Sequence, residues 1–201
     1  MRHLIFYSLI KYKAVGNKNI CFQRLFVLTG GDMKTCCFIG HRNAKETPKL
    51  CEELRNTVIF LIEKQGVEVF FFGSKSKFDD LCLRIVREIK IIYPKIQLVY
   101  VRSHYPNIQQ WYKDYLLESY DDTIMPHKVI NAGKASYVER NQEMIDASDF
   151  CIFYYNSEYK PPLRKQSRNA LSHYQPKSGT KVAYEYAKQK KKQIINLYNL
   201  S

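Results

Sequence analysis

An α/β fold with a doubly wound, mostly parallel sheet and helices on both faces is predicted by three observations. Short apolar runs, which suit strands buried on both faces, alternate with longer stretches of helical period. The first five of these read strand, helix, strand, helix, strand with short connections. Gly40, Thr47-Pro48, Gly66 and Pro94 punctuate the changes from one to the next.

Residues 35–39 form the first apolar run and end at Gly40. Thr47-Pro48 supplies an N-cap and a first-turn proline. Leu50, Leu54, Val58, Leu61 and Ile62 then recur at helical spacing until Gly66 closes the helix. Residues 67–72 make a second strand. Phe78, Leu81, Ile85, Ile89 and Ile92 mark the inner face of a second helix that stops before Pro94, and residues 96–101 make a third strand. In the middle of the chain, 106–120 reads as a helix, 121–125 as a loop, 128–130 as a brief strand and 136–147 as a helix. Val138, Met144 and Ile145 of that last helix are expected to face inward. Residues 150–154 form a further strand, 156–177 a long basic loop, 178–190 the last helix and 193–198 the last strand. No internal repeat is present.

The 201-residue chain suits one domain with a full hydrophobic core, and its 45% hydrophobic and 25% charged content are ordinary for a globular protein. Its formal charge of +13 is not ordinary and favours an anionic partner: a nucleotide, a nucleic acid or an acidic surface. No apolar run approaches the ~20 residues of a membrane span, so no membrane partner is expected. Cys36, Cys37, Cys82 and Cys151 lie in apolar runs, and none of the six cysteines forms a Cys-x-x-Cys pair or stands at zinc-ligand spacing from a His. Reduced, buried thiols and a cytoplasmic location follow, with no metal and no cofactor expected.

Residues 1–32 read as a separate extension. Thr29-Gly30-Gly31-Asp32 can be encoded by codons containing a purine-rich bacterial ribosome-binding sequence, directly before Met33. Translation is therefore expected to start at Met33, leaving 33–201 as the nucleotide-binding domain. A flexible or partner-binding extension is the other reading of 1–32.

Two segments are shaped like phosphate-binding turns. Strand 67–72 runs into Gly73 and Ser74 and then a helix bearing Asp79 and Asp80; Ser178-Gly179-Thr180 opens the last helix. Helix N-termini present unpaired N–H groups and a positive dipole end, which suit an anion. Gly73 permits close backbone approach, and the Ser74 hydroxyl suits a phosphate. An aspartate repels phosphate, so Asp80, or Asp79, suits a ribose hydroxyl. Gly40, His41 and Arg42 follow the first strand at the sheet edge where ligands of open α/β sheets bind. There Arg42 suits bidentate phosphate contact, and His41 suits stacking or donation. The loop 159–177 carries Lys160, Arg164, Lys165, Arg168 and His173, with Tyr159 and Tyr174 as stacking residues. Such a loop suits a lid over an anion or a nucleic-acid contact.

The order of these motifs is strand-Gly-His-Arg, strand-Gly-Ser-x-x-x-x-Asp, then Arg-Asn-x-x-Met-x-x-x-Ser-Asp before a strand, then Ser-Gly-Thr opening a helix. Over residues 33–201 it resembles the SLOG superfamily of Rossmann-like proteins, which holds the Lonely Guy phosphoribohydrolases and the DNA-processing protein A group. The nearest likeness is to its YpsA-like bacterial branch. The resemblance implies a Rossmann-like fold, a nucleotide-type ligand at the C-terminal ends of the strands, and a homodimer. In the phosphoribohydrolases an Arg on the helix before the fourth long strand and a Glu soon after the Gly-Thr turn serve N-glycosidic cleavage. Arg140 matches the Arg. Lys181, Val182 and Ala183 occupy the Glu positions, and Glu185 lies further on.

Three functions follow as expectations. The first is binding of a nucleotide or nucleotide-derived small molecule through Gly73-Ser74, Ser178-Gly179-Thr180 and Arg140. The second is hydrolysis of a nucleoside monophosphate, with Arg140 and Glu185 as catalytic candidates. The third is DNA binding, as in the DNA-processing relatives.

Overall fold

The computed structural model describes residues 33–73, 76–162 and 177–199. Ser74, the extension 1–32 with Cys21, and most of the basic loop (Arg164, Lys165, Arg168, His173 and Tyr174) lie outside the described residues.

Six strands form one parallel sheet: β1 (Lys34–Gly40), β2 (Val67–Phe72), β3 (Gln97–Val101), β4 (Asp122–Ile124), β5 (Phe150–Tyr154) and β6 (Gln193–Asn196). Their spatial order is β4-β3-β2-β1-β5-β6, so the chain reverses direction across the sheet between β1 and β5. Among the described residues five helices accompany the strands: α1 (Pro48–Gln65), α2 (Lys77–Ile92), α3 (Gln110–Leu117), α4 (Ser136–Asp146) and α5 (Gly179–Gln189). This is the expected doubly wound, Rossmann-like α/β architecture.

The two-residue period of a strand divides the core into two layers. Cys36, Phe38, Phe70, Phe72, Leu98 and Ile152 face Leu50, Leu54, Val58 and Leu61 of α1 and Leu81, Ile85 and Ile89 of α2. Cys37, Ile39, Val69, Phe71, Val99, Cys151 and Phe153 face Met144 and Ile145 of α4 and Ala183 and Ala187 of α5. Each large apolar side chain so buried contributes about 1.5–3 kcal/mol relative to leaving it in water. The four cysteines placed in apolar runs are buried and free, and burial pushes the thiols of Cys36 and Cys82 up. Among the described residues no helix is long and apolar enough to cross a membrane.

The helix boundaries obey local chemistry. Thr47 caps α1, accepting from the Leu50 N–H at 3.1 Å, and Gly66 closes it at φ 71°. That left-handed φ suits glycine.

Sequence and structure part in the middle of the chain. The strand there is β4, inside the stretch expected to be a loop, and the brief strand expected at 128–130 is instead a 3-10 turn, His127–Val129. Asp121 explains the shift. Its carboxylate accepts from the Leu98 N–H at 2.7 Å, and its own N–H donates to the Leu98 carbonyl at 2.8 Å, which docks the next three residues on the edge of β3. The helix expected over 106–120 is only α3, eight residues with Leu116 alone buried. Arg102 occupies the carbonyls of Tyr105 and Pro106 at 2.7 and 3.3 Å, keeping that stretch out of the helix. Val138 is half-buried; the fully buried residue beside it on α4 is Arg140. The last strand ends at Asn196, and a 3-10 turn, Leu197–Asn199, replaces its expected end.

Candidate functional site

The reversal between β1 and β5 opens a crevice at the C-terminal ends of the strands, where parallel α/β sheets take ligands. The cavity there measures about 920 Å³. Gly40, His41 and Arg42 after β1, Gly73 after β2, Arg140 on α4, and Ser178, Gly179 and Thr180 at the start of α5 all line it. Asp80 and Glu185 do not. Asp80 is exposed; the carboxylate on the cavity wall is its neighbour Asp79, only 3% exposed. Glu185 pairs with Lys177 at 2.8 Å on the outer face of α5, and that lysine holds its carboxyl below the usual range. It is five residues from Thr180, which rotates it away from the turn.

The three backbone turns are built differently. At Gly40 a Cβ would lie 2.3 Å from the Phe78 ring, and at Gly73 it would lie 2.6 Å from Nη1 of Arg140. Both glycines are therefore required by neighbouring protein side chains. At Gly179 no described residue lies within 4 Å of the Cβ position, and this glycine lines the cavity.

Much of the expected polar chemistry is already engaged. Thr180 Oγ1 donates to the Gly40 carbonyl at 3.0 Å, tying α5 to the end of β1. Ser178 Oγ caps α5 by accepting from the Lys181 N–H at 3.2 Å, and the Val182 N–H reaches the Ser178 carbonyl. The N–H groups of Gly179 and Thr180 have no acceptor among the described residues. His41 is buried, and its Nε2 lies 3.0 Å from the Asn156 nitrogen and 3.3 Å from the Asn156 carbonyl oxygen, which holds the ring against that backbone. Burial lowers its pKa, against the opposing influence of the Asn156 backbone. Its ring packs against Tyr159, with centroids 4.3 Å apart and the planes tilted by 34°. His41 thus joins the β1 and β5 turns rather than offering a positive charge. Arg42 is exposed at the rim, and its carbonyl accepts from the Lys77 N–H.

Arg140 is the most unusual residue of the site. It is 2% exposed. Its Nε donates to Asn141 Oδ1 at 2.9 Å, Nη1 reaches the Val101 carbonyl at 3.4 Å, and the guanidinium lies 5.7 Å from the Tyr137 ring centre. Among the described residues it forms no ion pair with a carboxylate. Burial pulls its pKa down, opposed chiefly by the nearby charge of Asp79. An arginine nevertheless stays protonated. A buried cation that is hydrogen-bonded to neutral groups and has a carboxylate, Asp79, only nearby still carries a large desolvation cost.

The chain matches no protein-family model and no curated protein.

Sequence reasoning passed over a set of aromatic and basic wall residues: Tyr100, Arg102, His104, Tyr105, Tyr112 and Tyr137. Two signals were present. Arg102 stands just past the end of β3, as His41 does past β1, at the ligand-binding edge of a parallel sheet. Tyr137 precedes Arg140 by three residues on one helix, so both share a face.

Proposed function

We propose that this protein binds a nucleotide or nucleotide-derived small molecule at the C-terminal edge of its Rossmann-like sheet. One observation carries the reading: the buried guanidinium of Arg140 on the wall of the cavity, which forms no ion pair among the described residues. A phosphate is the natural partner for such a group, because the planar fork binds two of its oxygens and restores charge balance. The open N–H groups of Gly179 and Thr180 at the start of α5 line the same cavity and add donors and a favourable dipole. Asp79 suits a ribose hydroxyl. Membership of the SLOG superfamily belongs to this proposal and rests on the order of its motifs.

The test is a thermal-shift screen of the full chain against mono- and dinucleotides and nucleotide sugars, with Gly179→Asp as control. A ligand that binds only the folded state raises the melting temperature by mass action. A shift with one compound, lost in the control, supports the reading; a panel without any shift overturns it.

A second reading, hydrolysis of a nucleoside monophosphate, has one observation in its favour. A carboxylate, Asp79, lines the same cavity as Arg140, whereas Glu185 does not. Water would add across the N-glycosidic bond, the hydroxyl going to the sugar carbon and the proton to the leaving base. Release of free base and ribose phosphate, abolished by Asp79→Asn, is the expected result. A bound nucleotide recovered intact refutes it.

A further inference from the structure

The wall beyond Arg140 is aromatic, and two of its rings, Tyr137 and Tyr105, are exposed. Tyr137 lies against the Arg140 guanidinium and is 53% exposed. His104 follows, its ring centre 4.8 Å from that of Tyr137, and Tyr105 comes next at 6.3 Å from His104. Tyr105 is 71% exposed and has a backbone φ of 58°. A bulky residue in the left-handed region is costly and persists only where its surroundings hold it. The holder is Arg102, whose guanidinium takes the carbonyls of Tyr105 and Pro106. His104 is held in turn by Ser103 Oγ at 2.9 Å from Nδ1.

A large apolar ring kept in a strained backbone, facing a cavity instead of the core, calls for a partner outside the chain. We propose that Tyr137 and Tyr105 form a stacking surface for the base of the bound nucleotide, running outward from the phosphate position at Arg140, and that Arg102 is the positioning residue that presents Tyr105. This deepens the nucleotide-binding reading above and rests on it. The wall makes this protein selective for a phosphorylated aromatic heterocycle over a plain sugar phosphate, since every base has a π face and a sugar has none. The opposite wall is less suited to a base, because the His41 and Tyr159 rings already pack against each other.

The experiment compares AMP with ribose 5-phosphate, which share a phosphorylated ribose and differ by the adenine ring. Calorimetric titration is run on the full chain, on Tyr105→Gly and on Tyr137→Leu. Glycine adopts the left-handed φ freely, so Tyr105→Gly removes the ring and keeps the backbone, and melting curves check that both variants fold. AMP is expected to bind the wild type about tenfold more tightly than ribose 5-phosphate. Each variant is expected to reduce that ratio severalfold. Equal affinities in the wild type, or a ratio that neither variant moves, overturn the stacking surface and leave the phosphate site standing. Binding of neither compound overturns both.

Discussion

The starts of α2 and α5 look alike as sequence and differ as surfaces. Each follows a strand of the same parallel sheet, each has a serine cap, and each has a glycine close by. At α2 the capping serine is Ser76, which accepts from the Asp79 N–H at 3.1 Å and donates to the Asp79 carboxylate at 2.5 Å. The Lys77 N–H is taken by the Arg42 carbonyl, and the first turn carries two acids, Asp79 and Asp80. Gly73 before it is filled from behind by Arg140. At α5 the first turn has no acid, and among the described residues two N–H groups have no acceptor and nothing lies within 4 Å of the Gly179 Cβ position. A helix dipole attracts anions only where its end is left uncovered by the protein's own groups. The first turn is thus a structural cap that places one carboxylate in the cavity, and the second is an open end that shares the cavity with Arg140.

The sharpest way to break this contrast is Gly179→Asp. A carboxylate at the open end repels a phosphate, so AMP affinity is expected to fall about a hundredfold or more by calorimetry. Folding stability is expected to stay within about 1 kcal/mol, because an acid in the first turn suits the dipole. A loss of stability matching the loss of binding would make Gly179 a packing residue. Arg140→Met is expected to lower AMP affinity by a similar factor while leaving urea-denaturation stability unchanged or raised, since it removes a buried charge that forms no ion pair among the described residues. A strongly destabilised Arg140→Met would show that the guanidinium serves the fold.

Smaller effects test the closed end. Gly40→Ala forces a methyl into Phe78 and is expected to cost about 1–3 kcal/mol in urea denaturation. Ser76→Ala removes a cap and the hydroxyl that holds Asp79, costing about 1–2 kcal/mol, whereas Ser178→Ala, losing the cap alone, costs about 1 kcal/mol. The smallest effect is on pH dependence. Burial depresses the pKa of His41 in the folded state. As pH falls below the ordinary histidine value of 6.5, the unfolded chain takes up a proton that the folded ring resists, so stability declines with falling pH in that window. His41→Gln is expected to flatten that slope in melting curves recorded between about pH 7 and 5. An unchanged slope would place the titration elsewhere.

The strands and helices with a strong apolar period were legible from sequence: β1, α1, β2, α2, β3, α4, β5 and α5. The edge strand β4 was not, because three residues of mixed polarity carry no period and are held by the Asp121 side chain from a partner 23 residues away. The site was legible in the same proportion. Residues that follow strands or open helices could be placed, since a parallel sheet brings all its strand ends to one edge. Which of two adjacent acids faces the cavity could not, because Asp79 and Asp80 differ only by a rotation about α2.

What the sequence by itself determined is the doubly wound topology and the sheet edge at which the cavity lies. Apolar period and turn residues are local properties, and they suffice for both. Only the tertiary structure decided which turn is open, which acid is buried, and that Arg140, Tyr137 and Tyr105 share one wall. Those properties depend on what lies across the cavity from each group. Such neighbours come from parts of the chain far apart in sequence, which no local pattern can report.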